Sequence, residues 1–152
     1  MFWFLAAAAL AGADLLVKFQ ISRKKDSLSQ TKPLGGFVTL TIFKNKGAML
    51  GFLKNNARLL LAVTMTALGF LAGILAALCG RRGNVLLKTG LSLLIGGASG
   101  NAYERCTKGE VTDYVQFNFG PEKFRKIVFN IGDFFIFAGS VLTVIGAALK
   151  KS

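Results

Sequence analysis

The sequence predicts an all-α membrane protein: four transmembrane helices with a small β-cradle at one end, in a single domain over residues 1–152. Hydrophobic residues make up 53% of the chain, charged residues only 17%, and the mean hydropathy is +0.53. Soluble domains carry about 25% charged residues. Four apolar stretches come close to the roughly 20 residues that a spanning helix needs. Two long polar segments separate them.

The four predicted spans follow the apolar stretches. They cover about residues 2–21, 57–79, 85–102 and 133–149. In the third, Gly96, Gly97 and Gly100 are expected to let neighbouring helices approach closely. Because the number of spans is even, both long connections, at about 22–56 and 103–132, lie on one side of the membrane. A functional site is expected there.

The first stretch also contains Ala11-Gly12-Ala13, which matches a signal-peptide cleavage pattern. No basic residue precedes Phe2, and the apolar character continues to Ile21. A retained membrane span is therefore the favoured interpretation, with a cleaved leader as the alternative.

Alternation of β-branched and aromatic residues over 37–43 predicts a strand in the first long segment. Residues 44–47, Lys-Asn-Lys-Gly, predict a turn at its end. Residues 112–119 and 126–129 are expected to pair with this strand, so that a small sheet covers one end of the bundle.

Composition excludes several kinds of chemistry. The chain has no histidine, which removes Ser-His-Asp and Cys-His catalysis and histidine metal ligands. The two cysteines, Cys79 and Cys106, lie at opposite ends of spans and cannot form a disulfide. We therefore predict no metal and no cofactor. The net charge of +12 indicates membrane phospholipids as partners rather than nucleic acid.

Most basic residues lie in the two long segments. Counted by the positive-inside rule alone, these segments would be cytoplasmic. The charge pattern therefore does not decide the orientation.

Acidic residues in apolar surroundings carry most of the functional information. Asp14 lies within the first span, and Lys18 follows at i+4 on the same helix face. A structural ion pair is the favoured interpretation, and a role towards substrate is the alternative.

Asp113 and Asp133 flank the second long segment and have aromatic and aliphatic neighbours. Two carboxyls that share one apolar site hold a common proton, so that one can act as a base and the other can polarise a carbonyl. This would hydrolyse an amide without histidine or metal. The spacing alone also fits helix caps or a cation site.

Four blocks resemble the lipoprotein signal peptidase family (signal peptidase II), aspartic peptidases of bacterial membranes. Asp14-Leu-Leu-Val-Lys18 is similar to D-Q-x-x-K, and Asn45-Lys-Gly-Ala-Met-Leu-Gly51 to N-x-G-A-A-F-G. Gly96-Gly-Ala-Ser-Gly-Asn-Ala-Tyr-Glu-Arg105 is similar to G-G-A-x-G-N-x-x-D-R, and Gly109-Glu-Val-Thr-Asp113-Tyr, into which it continues, to G-x-V-V-D-F. Phe129-Asn-Ile-Gly-Asp133 is similar to F-N-x-A-D.

The resemblance implies that Asp113 and Asp133 are catalytic. It implies that a polar substrate-binding pocket is formed by Asn45, Gly47, Asn101, Arg105 and Asn130. Asp14, Lys18 and Glu104 are expected to be structural polar residues. The implied substrate is a lipid-modified prolipoprotein, cut just before its diacylglyceryl cysteine. The implied setting is a multi-pass monomer in the bacterial inner membrane, with cytoplasmic termini and the active site outside the cytoplasm.

The chain departs from the family pattern at several positions. Glu104 replaces an aspartate, Gly132 replaces an alanine and is expected to loosen the backbone, and Met49-Leu50 replaces an alanine and an aromatic residue. Thr112 and Tyr114 make the surroundings of Asp113 more polar than usual.

Three rival functions are weighed against this one. A small proton-coupled transporter would use Asp14, but its loops would be short. A Ser/Lys peptidase would use Lys88 and Ser92, which share a helix face at i,i+4. A non-enzymatic assembly protein would tolerate loss of either candidate catalytic aspartate.

Overall fold

A computed structural model describes residues 1–23, 32–34, 36–47 and 56–149. Five helices and four strands lie in these ranges. In chain order they are α1 (Phe2–Arg23), β1 (Lys32–Leu34), β2 (Val38–Asn45), α2 (Ala57–Cys79), α3 (Val85–Lys108), β3 (Val111–Phe117), α4 (Glu122–Arg125), β4 (Val128–Phe129) and α5 (Ile131–Leu149).

Three helices of the described residues, α1, α2 and α5, are long and apolar enough to cross a membrane. The predicted membrane-type, mostly helical fold is therefore confirmed. Helix α3 has the length, with 24 residues, but its glycines, Ser92, Asn101 and charged ends make it less apolar. A fourth span at this helix stays a prediction.

The low apolarity of α3 follows from its central position. It packs against α1, α2 and α5. Twelve of its residues are buried, against three in each of the other long helices. A helix that is surrounded by protein does not have to present an apolar surface to lipid, so it can carry the polar residues of a site.

Glycines make these contacts close. A Cβ added at Gly97 would lie 3.0 Å from the Cβ of Phe135, and one at Gly96 would lie 2.7 Å from the Cβ of Leu10. Gly139 and Gly146 on α5 leave equally little space against α3. The close approach predicted for the third span is confirmed, and it involves glycines on both partner helices.

The predicted small sheet is present. Its strands lie in the order β1-β2-β3-β4, and all neighbours are antiparallel. The β2–β3 register pairs Asn45 with Val111 and Phe43 with Asp113, with an irregularity between Leu40 and Phe43. The turn predicted over residues 44–47 is wrong in part, because β2 continues through Asn45. Neither β1 nor α4 was expected from the sequence.

Two predicted helix ends also differ. Helix α3 continues six residues beyond the predicted Ala102, and α5 begins at Ile131 instead of Asp133. The added turns of α3 carry the Glu104–Lys108 ion pair at i,i+4. Gly109 ends the helix with φ 73°, and its N–H donates to the Arg105 carbonyl oxygen. The apolar stretch that predicts a span stops with the last apolar residues of the core, whereas the helix itself continues to its C-cap.

Candidate active site

An open cavity of about 650 Å³ lies where the sheet meets one end of the helical bundle. Six of the predicted site residues line it, namely Asn45, Asn101, Arg105, Asp113, Asn130 and Asp133. They come from β2, α3, β3 and the start of α5, so residues almost 90 positions apart in sequence converge on one space.

Asp113 lies on β3 and is 2% exposed. Its Oδ2 accepts a hydrogen bond from Asn45 Nδ2 at 2.9 Å, and its Oδ1 accepts one from Asn130 Nδ2 at 2.6 Å. Burial raises the pKa of Asp113 to about 6, and the nearby Asp133 carboxyl acts in the same direction, while the two amide donors oppose the rise. Asp113 is thus prepared to hold a proton near neutral pH.

Asp133 lies in the first turn of α5, where it forms a reciprocal cap with Asn130. The Asp133 N–H donates to Asn130 Oδ1 and the Asn130 N–H donates to Asp133 Oδ2, both at 3.0 Å. This is the capping-box arrangement with aspartate in place of glutamate. Asp133 Oδ2 therefore serves as a helix cap, which is one of the alternatives that the spacing of the aspartates left open. The other carboxylate oxygen, Oδ1, accepts from Asn101 Nδ2 at 3.0 Å on the cavity side.

Asn130 joins the two aspartates. It is fully buried, its amide NH₂ donates to Asp113, and its backbone N–H donates to Asp133. One residue therefore fixes both carboxyls relative to each other, Asp113 through its side chain and Asp133 through its backbone N–H.

A buried polar network lies behind Asp133. The Lys18 ammonium donates to Asp14 Oδ2 and to Asn101 Oδ1, both at 2.6 Å. It also lies 3.4 Å from Glu104 Oε2. The Asp14–Lys18 ion pair predicted from the i+4 spacing is confirmed, and Lys18 joins α1 to the cavity residue Asn101.

Glu104 connects this network to β3. Its Oε2 accepts from the Thr112 N–H and its Oε1 from the Thr112 hydroxyl, both at 2.9 Å. Lys108 Nζ donates to Oε1 at 2.8 Å. The longer side chain that replaces the family's aspartate thus reaches the strand residue directly before Asp113.

The start of α5 is held by tertiary partners. The N–H of Ile131 donates to the Tyr114 hydroxyl at 3.1 Å, and the N–H of Gly132 donates to Asp14 Oδ1 at 3.0 Å. Free N–H groups at a helix start need such acceptors. The role of Tyr114 was missed, and its position directly after Asp113 was the only sequence signal. Burial raises the Tyr114 pKa to about 12, so its hydroxyl stays protonated.

At Gly132 the absence of a side chain serves packing. A Cβ there would lie 2.9 Å from Asn130 Oδ1 and 3.0 Å from the Gly97 carbonyl oxygen. Gly132 is buried within the regular helix α5. Its lack of a side chain leaves space for the Asn130 cap, and it does not loosen the backbone in the way that the sequence predicts.

Arg105 lies on the other side of the cavity. Its Nη2 donates to the Gly47 carbonyl oxygen at 3.0 Å, and the Gly47 N–H donates to Asn45 Oδ1 at 3.0 Å. The buried Nε of Arg105 has no hydrogen-bond partner within the described ranges. Gly47 therefore contributes backbone atoms that position Asn45 and Arg105. Met49 and Leu50, named above as departures, lie outside the described residues.

A second, shallower groove of about 360 Å³ continues from the site along the bundle. It shares Asn101, Arg105 and Asp133 with the main cavity. Its other walls come from α2, α3 and α5 and are mostly apolar, with Leu60, Thr64, Ala98, Ile136, Phe137 and Ser140.

Lys88 and Ser92 do not form the pair that a Ser/Lys peptidase requires. Lys88 Nζ donates to the Arg81 carbonyl oxygen at 2.5 Å. The Ser92 hydroxyl donates to the carbonyl oxygens of Trp3 and Lys88. Both side chains satisfy backbone groups away from the cavity.

Cys79 and Cys106 are both free thiols. Among residues of the described ranges, no group of three or more His, Cys, Asp or Glu side chains is placed to hold a metal ion.

The fold and the site define a membrane protein with a paired-carboxyl cavity at one end of its helices. The sequence model of the family described as Signal peptidase (SPase) II matches residues 6–149. The chain belongs to the signal peptidase II family, and its role is that of a membrane protease of this family. Nothing in these similarities supports the transporter alternative.

Individual relatives agree with this assignment. The chain is 33% identical to the lipoprotein signal peptidase of Caldicellulosiruptor bescii over 118 residues, covering 78% of this chain and 71% of that protein. It is 32% identical to the lipoprotein signal peptidase of Clostridioides difficile over 145 residues, covering 95% and 93%. A solved bacterial membrane enzyme superimposes with a TM-score of 0.77 at 26% identity, covering 99% of this chain and 94% of that one.

Proposed function

We propose that the protein is an aspartic endopeptidase in which Asp113 and Asp133 share one proton and direct a water molecule onto a peptide carbonyl. The observation that carries the proposal is the bridge through Asn130, whose side chain and backbone N–H bind the two carboxyls at the wall of one open cavity. Within the described residues neither aspartate forms an ion pair, so both keep their acid–base capacity.

The ion pairing of the neighbouring carboxyls supports the shared proton. Asp14 and Glu104 are ion-paired with Lys18 and Lys108, whereas Asp113 and Asp133 form no ion pair among the described residues. Two such carboxyls in one partly buried site cannot readily both be charged, so one of them takes up a proton.

The two carboxyls differ in a way that suggests their roles. Asp133 lies at a helix N-terminus, where the macrodipole favours the charged form. Asp113 lies on strand β3, so no helix dipole favours its charged form. We assign the shared proton to Asp113, which would polarise the scissile carbonyl, and the base role to Asp133, which would take a proton from water. Their apparent pKa values belong to the pair.

The proposed substrate is a prolipoprotein that bears diacylglycerol on its cysteine, cleaved just before that residue. The two relatives are lipoprotein signal peptidases. The mostly apolar second groove meets the polar cavity at Asn101, Arg105 and Asp133. A substrate with an apolar membrane part and a polar scissile bond fits this junction. Arg105 lines both the cavity and the groove, so its guanidinium can donate to a substrate oxygen at their junction.

We further propose four spans in the bacterial inner membrane, with α3 as the shielded third span. Residues 89–103 contain no charged side chain and extend for about 22 Å as a helix. The termini would be cytoplasmic and the sheet outside. All site residues come from one chain, which is compatible with a monomer. Membrane phospholipids would contact exposed apolar side chains such as Phe19, Phe70 and Phe137.

Mobility-shift cleavage of one lipid-modified prolipoprotein tests the chemistry. Asp113→Asn and Asp133→Asn should each lower turnover by about 10³-fold or more, because Asn cannot transfer the proton. Both variants should remain membrane-inserted. Turnover near the wild-type rate in either variant would disprove the proposal.

Protease protection in vesicles tests the orientation. A tag at the C-terminus should be cleaved only from the cytoplasmic side. Cleavage from the opposite side would contradict the proposed topology without affecting the proposed chemistry.

A further inference from the structure

The Lys18 ammonium is the most completely enclosed cation of the site. Its residue is 1% exposed, and its three N–H donors face three acceptors, Asp14 Oδ2, Asn101 Oδ1 and Glu104 Oε2. An ion pair with Asp14 alone would need only one of them. The other two donors point to α3, and one of them meets a residue that contacts a candidate catalytic carboxyl.

The contact with Asn101 fixes an amide orientation. An ammonium group can only donate hydrogen bonds, so the Asn101 atom that faces Lys18 must be the oxygen. The NH₂ group then points the other way, where it donates to Asp133 Oδ1 at 3.0 Å. Without the ammonium, nothing on that side of Asn101 would distinguish its oxygen from its nitrogen.

The charge of Lys18 also acts on the carboxyl pair. It lies one side chain away from Asp133, in a buried region where charges are poorly screened. Burial raises the Asp113 pKa most strongly, and the Lys18 charge opposes that rise. The titratable or charged groups that face this region are Asp14 on α1, Glu104, Arg105 and Lys108 on α3, Asp113 and Tyr114 on β3, and Asp133 on α5. Lys44, Lys46, Lys123 and Lys126 also line the cavity around the pair.

We propose that Lys18 is a positioning residue of the two-aspartate site, which orients Asn101 towards Asp133 and whose positive charge keeps the pair from binding a second proton. The inference rests on the proposed function, since it assigns Lys18 a task in that reaction. It gives the ion pair on α1 a part in catalysis beyond holding the helices together.

Substitutions of the two partners of the ion pair are expected to shift the pH profile in opposite directions. Lys18→Met removes a positive charge, so the pair should accept its second proton more readily. The acid limb of the pH profile of kcat/KM should then move up by about one pH unit. Asp14→Asn removes a negative charge, so the same limb should move down. A purely structural ion pair would lower the amount of folded enzyme in both variants without moving the limb in either.

Lys18→Gln separates the effect of Lys18 on the orientation of Asn101 from the effect of its positive charge. It keeps a hydrogen-bond donor but not the charge, so it should show the same upward shift as Lys18→Met with a smaller loss of kcat. For Lys18→Met we expect kcat to fall about 10- to 100-fold, because Asp133 loses its fixed partner, with little change in KM. Lys88→Met is the matched control, since Lys88 is also a buried lysine but contacts only the Arg81 carbonyl oxygen. Its profile should coincide with wild type.

The experiment uses full-length enzyme in detergent micelles with a lipidated peptide substrate. If Lys18→Met does not fold, Lys18→Gln and Asp14→Asn still decide, because they retain hydrogen-bonding groups. Unshifted acid limbs in these variants would overturn the inference. Activity in Asp113→Asn or Asp133→Asn would instead overturn the proposed function, so the two failures are distinguishable.

Discussion

The two carboxyls of the site are held by different halves of the molecule. Asp133 belongs to a helical half, in which Asp14, Lys18, Asn101 and Glu104 are almost completely buried. Lys18 is ion-paired with Asp14 and Glu104 and donates a hydrogen bond to Asn101. Asp113 belongs to a sheet half, in which its partner Asn45 is only partly buried and lines the open cavity. The helical half fixes geometry through matched charges, and the sheet half presents donors to the space where substrate would lie.

This difference follows from where each half lies. Charged groups enclosed by helices need partners that match them, whereas groups beside an open cavity can also be solvated. We therefore expect perturbations of the helical half to damage stability and activity together. Perturbations of the sheet half should affect activity more than stability. The predictions below test this expectation.

The largest effect concerns the pH dependence of stability. Because the Asp113 pKa is raised from 3.8 to about 6 by burial, the folded protein holds that proton more tightly than the unfolded chain does. Stability from this group is therefore greatest at low pH and falls by about 2–3 kcal/mol as pH rises from about 4 to 7.5. Asp113→Asn should show a smaller decrease, because only one carboxyl of the pair is left to titrate. Denaturant titration of both proteins in micelles at the two pH values measures it, and parallel decreases would contradict it.

The next effect probes packing in the helical half. A Cβ at Gly100 would overlap the Asp14 carboxylate, so Gly100→Ala should cost about 1–3 kcal/mol of stability and also lower activity. Gly73→Ala on α2 is the matched control, because no atom lies within 4 Å of its added Cβ. Thermal unfolding in micelles compares the two. Equal melting temperatures for the two variants would show that Asp14 can move without penalty.

A pair of asparagines compares the halves directly. Asn101→Ala removes one buried hydrogen-bond partner from Lys18 and one from Asp133, so we expect a loss of about 1–2 kcal/mol. Asn45→Ala leaves Asp113 beside the open cavity, where water can replace the amide, so we expect less than about 1 kcal/mol. Both should lower kcat. If Asn45→Ala proved the more destabilising in denaturant titrations, the proposed division between the halves would be wrong.

The smallest effect concerns the start of α5. Tyr114→Phe removes the acceptor of the Ile131 N–H and should lower the free energy of unfolding by about 1 kcal/mol. Tyr103→Phe is the control, since Tyr103 is 56% exposed and should change stability little. The same denaturant titration measures both, and no difference between them would show that the hydroxyl is dispensable.

The sequence by itself determined the apolar helices, the sheet and the identities of the polar residues. These features are local: hydropathy marks a span, alternation marks a strand, and the spacing of Asp14 and Lys18 places them on one helix face. The family motifs also pointed to six site residues, and all six line one cavity: Asn45, Asn101, Arg105, Asp113, Asn130 and Asp133. Their catalytic and binding roles stay predictions.

Only the tertiary structure decided how these residues share their hydrogen bonds. The hydrogen bond from Asn130 to Asp113, the hydroxyl of Tyr114 at the start of α5 and the reach of Lys18 to Asn101 all join separate elements. Sequence patterns report the neighbours along one helix or strand. A contact between Lys18 and Asn101 depends on how closely α1 and α3 pack, and glycines such as Gly96 and Gly100 set that distance. The central position of α3, which lets this helix carry polar residues, was decided in the same way.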